Sequence, residues 1–437
     1  MKNDEQKKLV AVGGVALALL LLFAAPAAWA AEEAPALTAE VAAEGEAATA
    51  AETTAEGEAE EAKPRTEIYG FAMTDVGYRS GQINPDWFDV IRPTKMPAYE
   101  NEFGADGNTY FSVRQTRFGV KSWFPTKLGE LYTIFEFELF GVGADAGQTT
   151  FRLRHAYGEL GHFGAGQTWS PFMDIGVFPN SLEYWGPSGM VFFRNVQVRW
   201  MPIKGDTRLT VALERPGASG DQGQYDENTG LDDVSARFPL PDLSAEYRHA
   251  GDWGYVEVAG ILRRIEWEDN GTDEYDLSGG VTGWGINLSS NLKLGDSNTL
   301  RLQVVYGEAI ENYFNDATVD IGIEPNPGNP TAPIKGVALP ILGVVAFLDH
   351  SWNSEWTTSI GFSLTDIDNA SSQDASAFSK GQYALVNLLH TPVPNVMYGA
   401  ELQYGNRENF ADGWTVDDFK IQFSFKYNFS HTFGGNS

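Results

Sequence analysis

The sequence predicts an all-β protein, a transmembrane antiparallel β-barrel of about 16 strands preceded by a signal peptide and a disordered acidic segment. Three observations predict this fold class. Aromatic residues make up 13% of the 437 residues, and glycine is frequent with 47 residues. No apolar stretch after Ala31 approaches the roughly 18 residues that a membrane-spanning helix needs. Apolar residues instead recur with a two-residue period, which is typical of strands whose two faces meet different surroundings.

The N-terminus has the three parts of a secretory signal peptide. A start with three lysines precedes an apolar run over residues 9–25, and small residues at Ala28 and Ala30 occupy the positions that a signal peptidase reads. We therefore expect residues 1–30 to be a signal peptide that is cut after Ala30. The alternative is a membrane-anchor helix, because the apolar run is at the short limit of a span.

Residues 31–65 form a compositionally separate segment of mainly Ala, Glu, Thr and Gly. It cannot bury enough apolar surface to offset the entropy of ordering, so we expect a flexible, acidic periplasmic segment. The barrel domain is expected over residues 66–437. The whole chain has 59 acidic and 30 basic residues, and its net charge of −29 disfavours nucleic-acid binding. The chain has no cysteine, so no disulfide framework can hold the fold.

The clearest alternation lies in the last segment of the chain. Its apolar positions are Phe419, Ile421, Phe423, Phe425, Tyr427, Phe429 and Phe433, and the alternate positions from Lys420 to Ser430 are polar. A strand places alternate side chains on opposite faces, so this segment has one apolar and one polar face. Similar segments begin near Trp284, Leu300, Trp356 and Val396. Several of these segments approach the length of roughly 9–11 residues that a tilted strand needs to cross a bilayer.

The connections between these segments differ in length. Long stretches rich in Gly, Asp and Pro occupy residues 84–107, 217–241 and 312–339, whereas residues 293–298 and 350–354 are short turns. Long loops on one side and short turns on the other are typical of outer-membrane barrels. A soluble β-sandwich or β-helix is the alternative. Aromatic residues at the ends of the apolar faces, such as Trp284 and Tyr398, favour the barrel because such rings lie at membrane interfaces.

Arginine is concentrated between residues 110 and 199. The candidate pore-lining arginines are Arg114, Arg117, Arg152, Arg154, Arg194 and Arg199. Arg152 and Arg154 share the polar face of one strand, whereas Arg114 and Arg117 can both point inward only with a bulge. A guanidinium cluster in a narrow lumen favours anions. The alternative is that these arginines neutralise Glu136, Glu138 and Glu159 and fix the barrel shape; both can hold.

Residues 171–189 follow a predicted strand at residues 164–170 and are unusually aromatic for a surface loop. We expect this segment to fold back into the lumen as a constriction loop. Its candidate residues are Asp174, Glu183, Tyr184 and Trp185, with Asp174 and Glu183 facing the arginines. The alternative is a loop that contacts a neighbouring subunit or lies on the surface.

Six short motifs of the chain carry a family resemblance: Ser112–Gly119, Arg152–Tyr157, Gly166–Ser170, Phe178-Pro179, Pro392–Pro394 and Tyr404–Arg407. They resemble motifs of the DcaP-like porins. The resemblance implies a sixteen-stranded homotrimer in the outer membrane of a Gram-negative bacterium. It also implies a constriction loop after the fifth strand and a preference for small anions such as dicarboxylates. One departure is that the acidic segment lacks the apolar heptads of the family's coiled-coil extension.

The expected function is transport as an outer-membrane porin, with passive diffusion of small hydrophilic and preferably anionic solutes. The expected partners are outer-membrane lipid, lipopolysaccharide, small anions and further copies of the chain. A phosphate-type anion channel would use the same arginines. A barrel enzyme or a non-conducting structural barrel is the remaining alternative. The six histidines form no recognisable nucleophile or zinc arrangement, so we expect no enzymatic activity, no cofactor and no metal site.

Overall fold

The structure is a computed structural model that describes residues 63–226 and 231–435. The predicted signal peptide and residues 31–62 of the predicted acidic segment lie outside the described residues. Strands make up most of the described chain. They are β1 (Arg65–Arg79), β2 (Asn108–Ser112), β3 (Arg117–Thr126), β4 (Gly129–Phe140), β5 (Thr149–Leu160), β6 (Phe163–Trp169), β7 (Arg194–Ile203), β8 (Thr207–Glu214), β9 (Val234–Arg237), β10 (Asp242–Gly251), β11 (Gly254–Asp269), β12 (Gly279–Lys293), β13 (Asn298–Glu308), β14 (Ile321–Pro325), β15 (Ile334–Ala338), β16 (Pro340–Ser351), β17 (Trp356–Ile367), β18 (Phe378–Val393), β19 (Val396–Asn409) and β20 (Thr415–Gly434).

Sixteen of the described strands pair with their neighbours in antiparallel fashion and close into a ring. The closing pair is β1 with β20, which runs from Arg65 opposite Gly434 to Arg79 opposite Lys420. Closure leaves no open edge, so every strand finds backbone partners where lipid offers none. The other four strands are additions: β2 continues β3 along β1, β9 pairs with the end of β11, and β14 and β15 form a hairpin. The prediction of a closed antiparallel barrel of about 16 strands is confirmed.

The two faces of β20 show how the alternation specifies the barrel. On the outer face Phe419 is 52% exposed, and Phe425 and Phe429 are exposed as well. On the inner face Lys420 and Ser424 are fully buried. An apolar exterior is stable only against lipid, and a polar interior needs water or hydrogen-bond partners. The sequence pattern therefore fixes which side of this strand faces the membrane.

All long connections lie at one end of the barrel and all short turns lie at the other. The long connections used below are L1 (residues 80–107), L3 (residues 170–193), L4 (residues 215–241) and L6 (residues 309–339). Short 3-10 helices of the described chain lie in the long loops, at Pro85–Trp87, Pro93–Lys95, Gly143–Asp145, Ile175–Val177, Gly223–Tyr225, Leu231–Asp233 and Glu311–Tyr313. Among residues 63–226 and 231–435, no helix is long and apolar enough to cross a membrane.

The largest apolar cluster lies inside the barrel, where loops pack against the inner wall. Phe172 and Met190 of L3 and Tyr313 of L6 are fully buried there. They pack with inward side chains of the wall, among them Val305 and Ile341. Inward apolar residues on these strands thus hold the two loops within the lumen.

Candidate functional site

L3 begins after β6, the fifth strand of the ring, and crosses the lumen to the opposite wall. The Nδ2 of Asn287 on β12 donates to the carbonyl of Phe172 at 2.9 Å. Further along L3, the backbone N–H of Leu182 donates to Glu401 on β19 at 2.7 Å. Gln422 on β20 donates to the carbonyl of Leu182 at 3.0 Å. L3 therefore lies in the lumen and narrows it.

A glycine allows the closest approach of L3 to the far wall. The N–H of Gly189 donates to the hydroxyl of Ser363 on β17 at 2.9 Å. A Cβ at Gly189 would collide with the backbone carbonyl of Leu364. Any larger residue at position 189 would therefore push the loop away from β17.

Four of the candidate arginines surround two carboxylates on the lumen face of β4. Arg154 contacts Glu136 at 2.5 Å and Glu138 at 2.8 Å. Arg152 lies 3.4 Å from Glu138, and Arg194 lies 3.6 Å from the same carboxylate. Arg117 approaches Glu136 at 3.8 Å. We call this group of four arginines and two glutamates the arginine cluster; it carries two more positive charges than negative ones.

The aromatic ring of Trp169, at the end of β6, supports the arginine cluster. The Arg194 guanidinium lies 4.8 Å from the ring centroid and that of Arg154 lies 5.4 Å from it. Cation–π attraction stabilises guanidinium groups that are held away from bulk water. Trp169 therefore helps to keep like charges close together.

Arg114 and Arg117 both enter the lumen because the strand between them is interrupted. The pairing of β1 with β3 ends at Phe71 opposite Arg117, whereas the pairing of β1 with β2 has Asp75 opposite Ser112. The register shifts by one residue between these two pairings, as it does at a β-bulge. The shift moves the later side chains to the opposite face of the strand, so Arg114 and Arg117 both point inward.

Arg114 lies between L1 and the barrel wall. Its side chain is only 1% exposed and lies 2.8 Å from Asp89 of L1. The guanidinium also lies 3.8 Å from the ring centroid of Phe140. Arg114 joins L1 to the barrel wall, and sequence reasoning could not find this pairing because it depends on how L1 folds back over the barrel.

Two other cations are not paired with acids. Lys121 on β3 and Arg199 on β7 line a cavity of about 150 Å³ below the start of L3. Within the described part of the chain, no carboxylate lies within 4.0 Å of either charged group. Arg199 donates to the carbonyl of Trp169 at 2.5 Å, and the Lys121 amine lies 4.4 Å from the ring centroid of Tyr69. Lys121 was missed by the sequence analysis, although it shares the strand face of Arg117.

The structure places the two acidic residues of L3 at different points of the lumen, and Asp174 lines the same cavity as Arg199. Asp174 accepts hydrogen bonds from Tyr255 at 2.8 Å and from Ser289 at 2.6 Å. Glu183 accepts from the backbone N–H of Ile91 in L1 at 2.9 Å. Both carboxylates hold loops in place because their oxygens are used by nearby donors.

Burial affects the proton affinity of Glu183, which lies in L3 outside the membrane-spanning strands. Desolvation raises the pKa of its carboxyl to about 7, although the nearby Lys420 amine and the N–H groups of Gly186 and Ile91 lower it. A carboxylate in this position is therefore costly to ionise.

Tyr184 and Trp185 are the L3 residues that reach the arginines and the other loops. The Tyr184 hydroxyl donates to Glu138 and lies 3.4 Å from Arg152. The guanidinium of Arg92, in L1, lies 4.1 Å from the ring centroid of Trp185.

Within residues 63–226 and 231–435, no group of three or more His, Asp or Glu side chains is arranged to hold a metal ion.

Comparisons with known proteins agree with this geometry. The model of the DcaP outer membrane protein family matches residues 93–319, more than half of the chain. The outer membrane channel DcaP of Acinetobacter baumannii has a TM-score of 0.68 at 21% identity, with 84% of this chain and 97% of that chain covered. OmpT of Vibrio cholerae has a TM-score of 0.51 at 11% identity, with 84% and 98% covered.

The anion-selective porin from Comamonas acidovorans has a TM-score of 0.51 at 10% identity, with 84% of this chain and 100% of that chain covered. No curated protein matches the chain. The structural likenesses show a shared fold, and the family model, which matches more than half of the chain, shows the family. The chain belongs to the DcaP outer membrane protein family and is a porin-type β-barrel of the bacterial outer membrane.

Proposed function

We propose that this porin lets small hydrophilic solutes diffuse passively and that it prefers anions, with dicarboxylates or similar solutes as the substrates. The surplus of positive charge on the lumen wall beside L3 is the observation that carries the proposal. The basic side chains there are Arg117, Lys121, Arg152, Arg154, Arg194, Arg199, Arg208 and Arg248, against the carboxylates Glu136, Glu138, Glu159, Asp174, Glu246 and Glu257. Glu159 is paired with Lys204 at 3.3 Å.

The local charge has the opposite sign to the whole chain, whose net charge is −29. A solute inside the lumen interacts most strongly with the nearest wall charges, because charges beyond a Debye length of about 8 Å are screened at physiological salt. Low-dielectric walls concentrate the field of these charges in the lumen. Rings of Arg or Lys are how anion pores select their solutes.

Guanidinium groups bind both carboxylate and phosphate through paired donors, so phosphate is the alternative solute. The name of the Comamonas protein states that it is anion-selective, which supports the same preference in this fold. Family and fold are those of porin channels, which are not enzymes. On that basis we also infer that this chain has no enzymatic activity.

We further propose that the chain forms a homotrimer in a membrane of lipid and lipopolysaccharide. Family membership supports the trimer, and the apolar outer face of the barrel supports the contact with lipid. Chemical cross-linking of the purified porin in detergent tests the assembly, for which we expect a three-subunit product.

Removal of two arginines tests the anion preference. We expect Arg152→Ala combined with Arg154→Ala to shift the reversal potential of a planar bilayer toward cation selectivity, because Glu136 and Glu138 lose their closest cations. The matched control is Arg65→Ala, which removes an exposed arginine paired with Glu130 at 3.4 Å. Heat-modifiable mobility on gels shows whether each variant has a folded barrel. An unchanged reversal potential in a folded double variant would contradict anion selection by this cluster.

A further inference from the structure

A second cavity lies at the long-loop end of the barrel, away from the arginine cluster. Residues 218–222 and 231–238, β11 and the hairpin of β14 and β15 line a cavity of about 250 Å³ that is partly open to solvent. Its walls are mainly apolar and are formed by Leu231, Phe238, Ile265, Trp267, Ile323 and Ile334. The channel function does not use this cavity, because none of the lumen arginines lines it.

The charged side chains around this cavity and the indole of Trp267 already have partners. The indole N–H of Trp267 donates to the carbonyl of Leu277 at 2.8 Å. Glu266, at the edge, is paired with Arg237 at 2.7 Å and with Arg264 at 2.8 Å. Lys335 is paired with Glu324 at 3.8 Å. A charged ligand would have to displace one of these partners, whereas a neutral ligand would not.

The cavity walls are held by contacts that do not require a ligand. Arg263 on β11 lies 2.9 Å from Asp320 of L6 and also donates to the carbonyl of Gly217 in L4. The N–H of Asp221 in L4 donates to the carbonyl of Ile321 in β14 at 2.9 Å. Small-molecule sites are usually preformed in this way.

We propose that this cavity binds one small, neutral, single-ring aromatic molecule. An apolar cavity of roughly 150 Å³ already accepts benzene, so the larger volume leaves room for a ring with a few substituent atoms. The rings of Trp267 and Phe238 provide aromatic contacts, and such pairs add to the effect of area burial. The cavity would hold only part of a long acyl chain, so a lipid tail is the less suitable occupant.

Titration of a fluorinated ring tests the proposal. The probe is para-fluorotoluene, observed by fluorine NMR with the full porin in lipid nanodiscs, and empty nanodiscs give the partition into lipid. We expect saturable binding of one molecule per chain. Ala218→Phe, which fills the cavity from L4, should weaken the binding at least tenfold. Ala236→Trp is a second filling variant, at an exposed position of β9.

Ala411→Phe is the matched control because Ala411 is an exposed loop residue that does not line the cavity. It should leave binding unchanged, and all three variants should keep the wild-type conductance, which shows that each barrel is intact. Partition that never saturates, or saturable binding that both filling variants retain, would overturn the proposal. Tighter binding of para-fluorobenzoate than of para-fluorotoluene would overturn the neutral character of the ligand.

Discussion

The charged side chains of the lumen differ in what they contact, and this difference determines what each can do. Arg154 is only 3% exposed and is committed to Glu136 and Glu138, whereas Lys121 and Arg199 have no acid partner in the described chain. A paired charge projects a weaker field than an unpaired one, because the partner cancels most of it at a distance. The two unpaired cations should therefore contribute strongly to the anion preference.

The first prediction separates the unpaired cations from a paired one. Lys121→Gln and Arg199→Gln should each shift the reversal potential toward cation selectivity, because each removes a lumen charge that has no carboxylate within ion-pair distance in the described chain. Arg199→Lys should keep most of the wild-type value since the charge is retained. Arg237→Gln, at an exposed arginine paired with Glu266 at 2.7 Å, is the control and should have no effect. Equal shifts in the control and in the lumen variants would refute this assignment.

The second prediction concerns Arg114, whose role we place in stability. Removal of one partner from a buried ion pair costs about 3–5 kcal/mol, because the remaining charge is left uncompensated. We expect Arg114→Ala to lower the free energy of unfolding by that order, measured by urea titration in lipid vesicles. Arg114→Ala combined with Asp89→Asn should cost less than the sum of the single changes. Strict additivity would show that the two residues do not stabilise each other.

At the scale of elements, L3 is the decisive segment. Its aromatic composition predicted a position inside the lumen, and the structure has Phe172 and Leu182 fully buried there. The sequence could not predict its partners, since Glu401 and Gln422 lie more than two hundred residues further along the chain. For the same reason, the sequence could not predict that Asp174 bonds to Tyr255 and Ser289, or that Glu183 bonds to L1. Composition indicates that a loop is buried, but not which wall it contacts.

The third prediction is a pH dependence that originates in L3. Burial raises the pKa of Glu183 from its ordinary value of 4.5 to about 7, so the folded protein keeps a proton that the unfolded chain has released. The stability from this group is therefore fully present below pH 4.5 and is lost as the pH rises through about 7. Urea unfolding across this range should show a negative slope that Glu183→Gln reduces. An identical slope in both proteins would exclude Glu183 as its source.

At the scale of the whole molecule, the barrel could be predicted because the two-residue alternation of its strands is visible within short stretches of sequence. Alternation in β20 and in β13 is visible within ten residues, and a closed ring is the arrangement that satisfies every strand in lipid. The bulge between Arg114 and Arg117 could be expected from their spacing, because residues three positions apart point to opposite faces of a regular strand. The pairing of Arg114 with Asp89 and the cavity beside Trp267 could not, because both depend on how long loops fold over the barrel end.

The current through the wild-type porin in a planar bilayer, under a gradient of potassium chloride, tests the central claim most directly. A water-filled ring with a positive wall beside L3 should give stepwise conductance and a reversal potential whose sign shows that chloride carries most of the current. A cation-selective reversal potential would contradict the role of the wall charges, and absence of current through folded protein would contradict the open lumen itself.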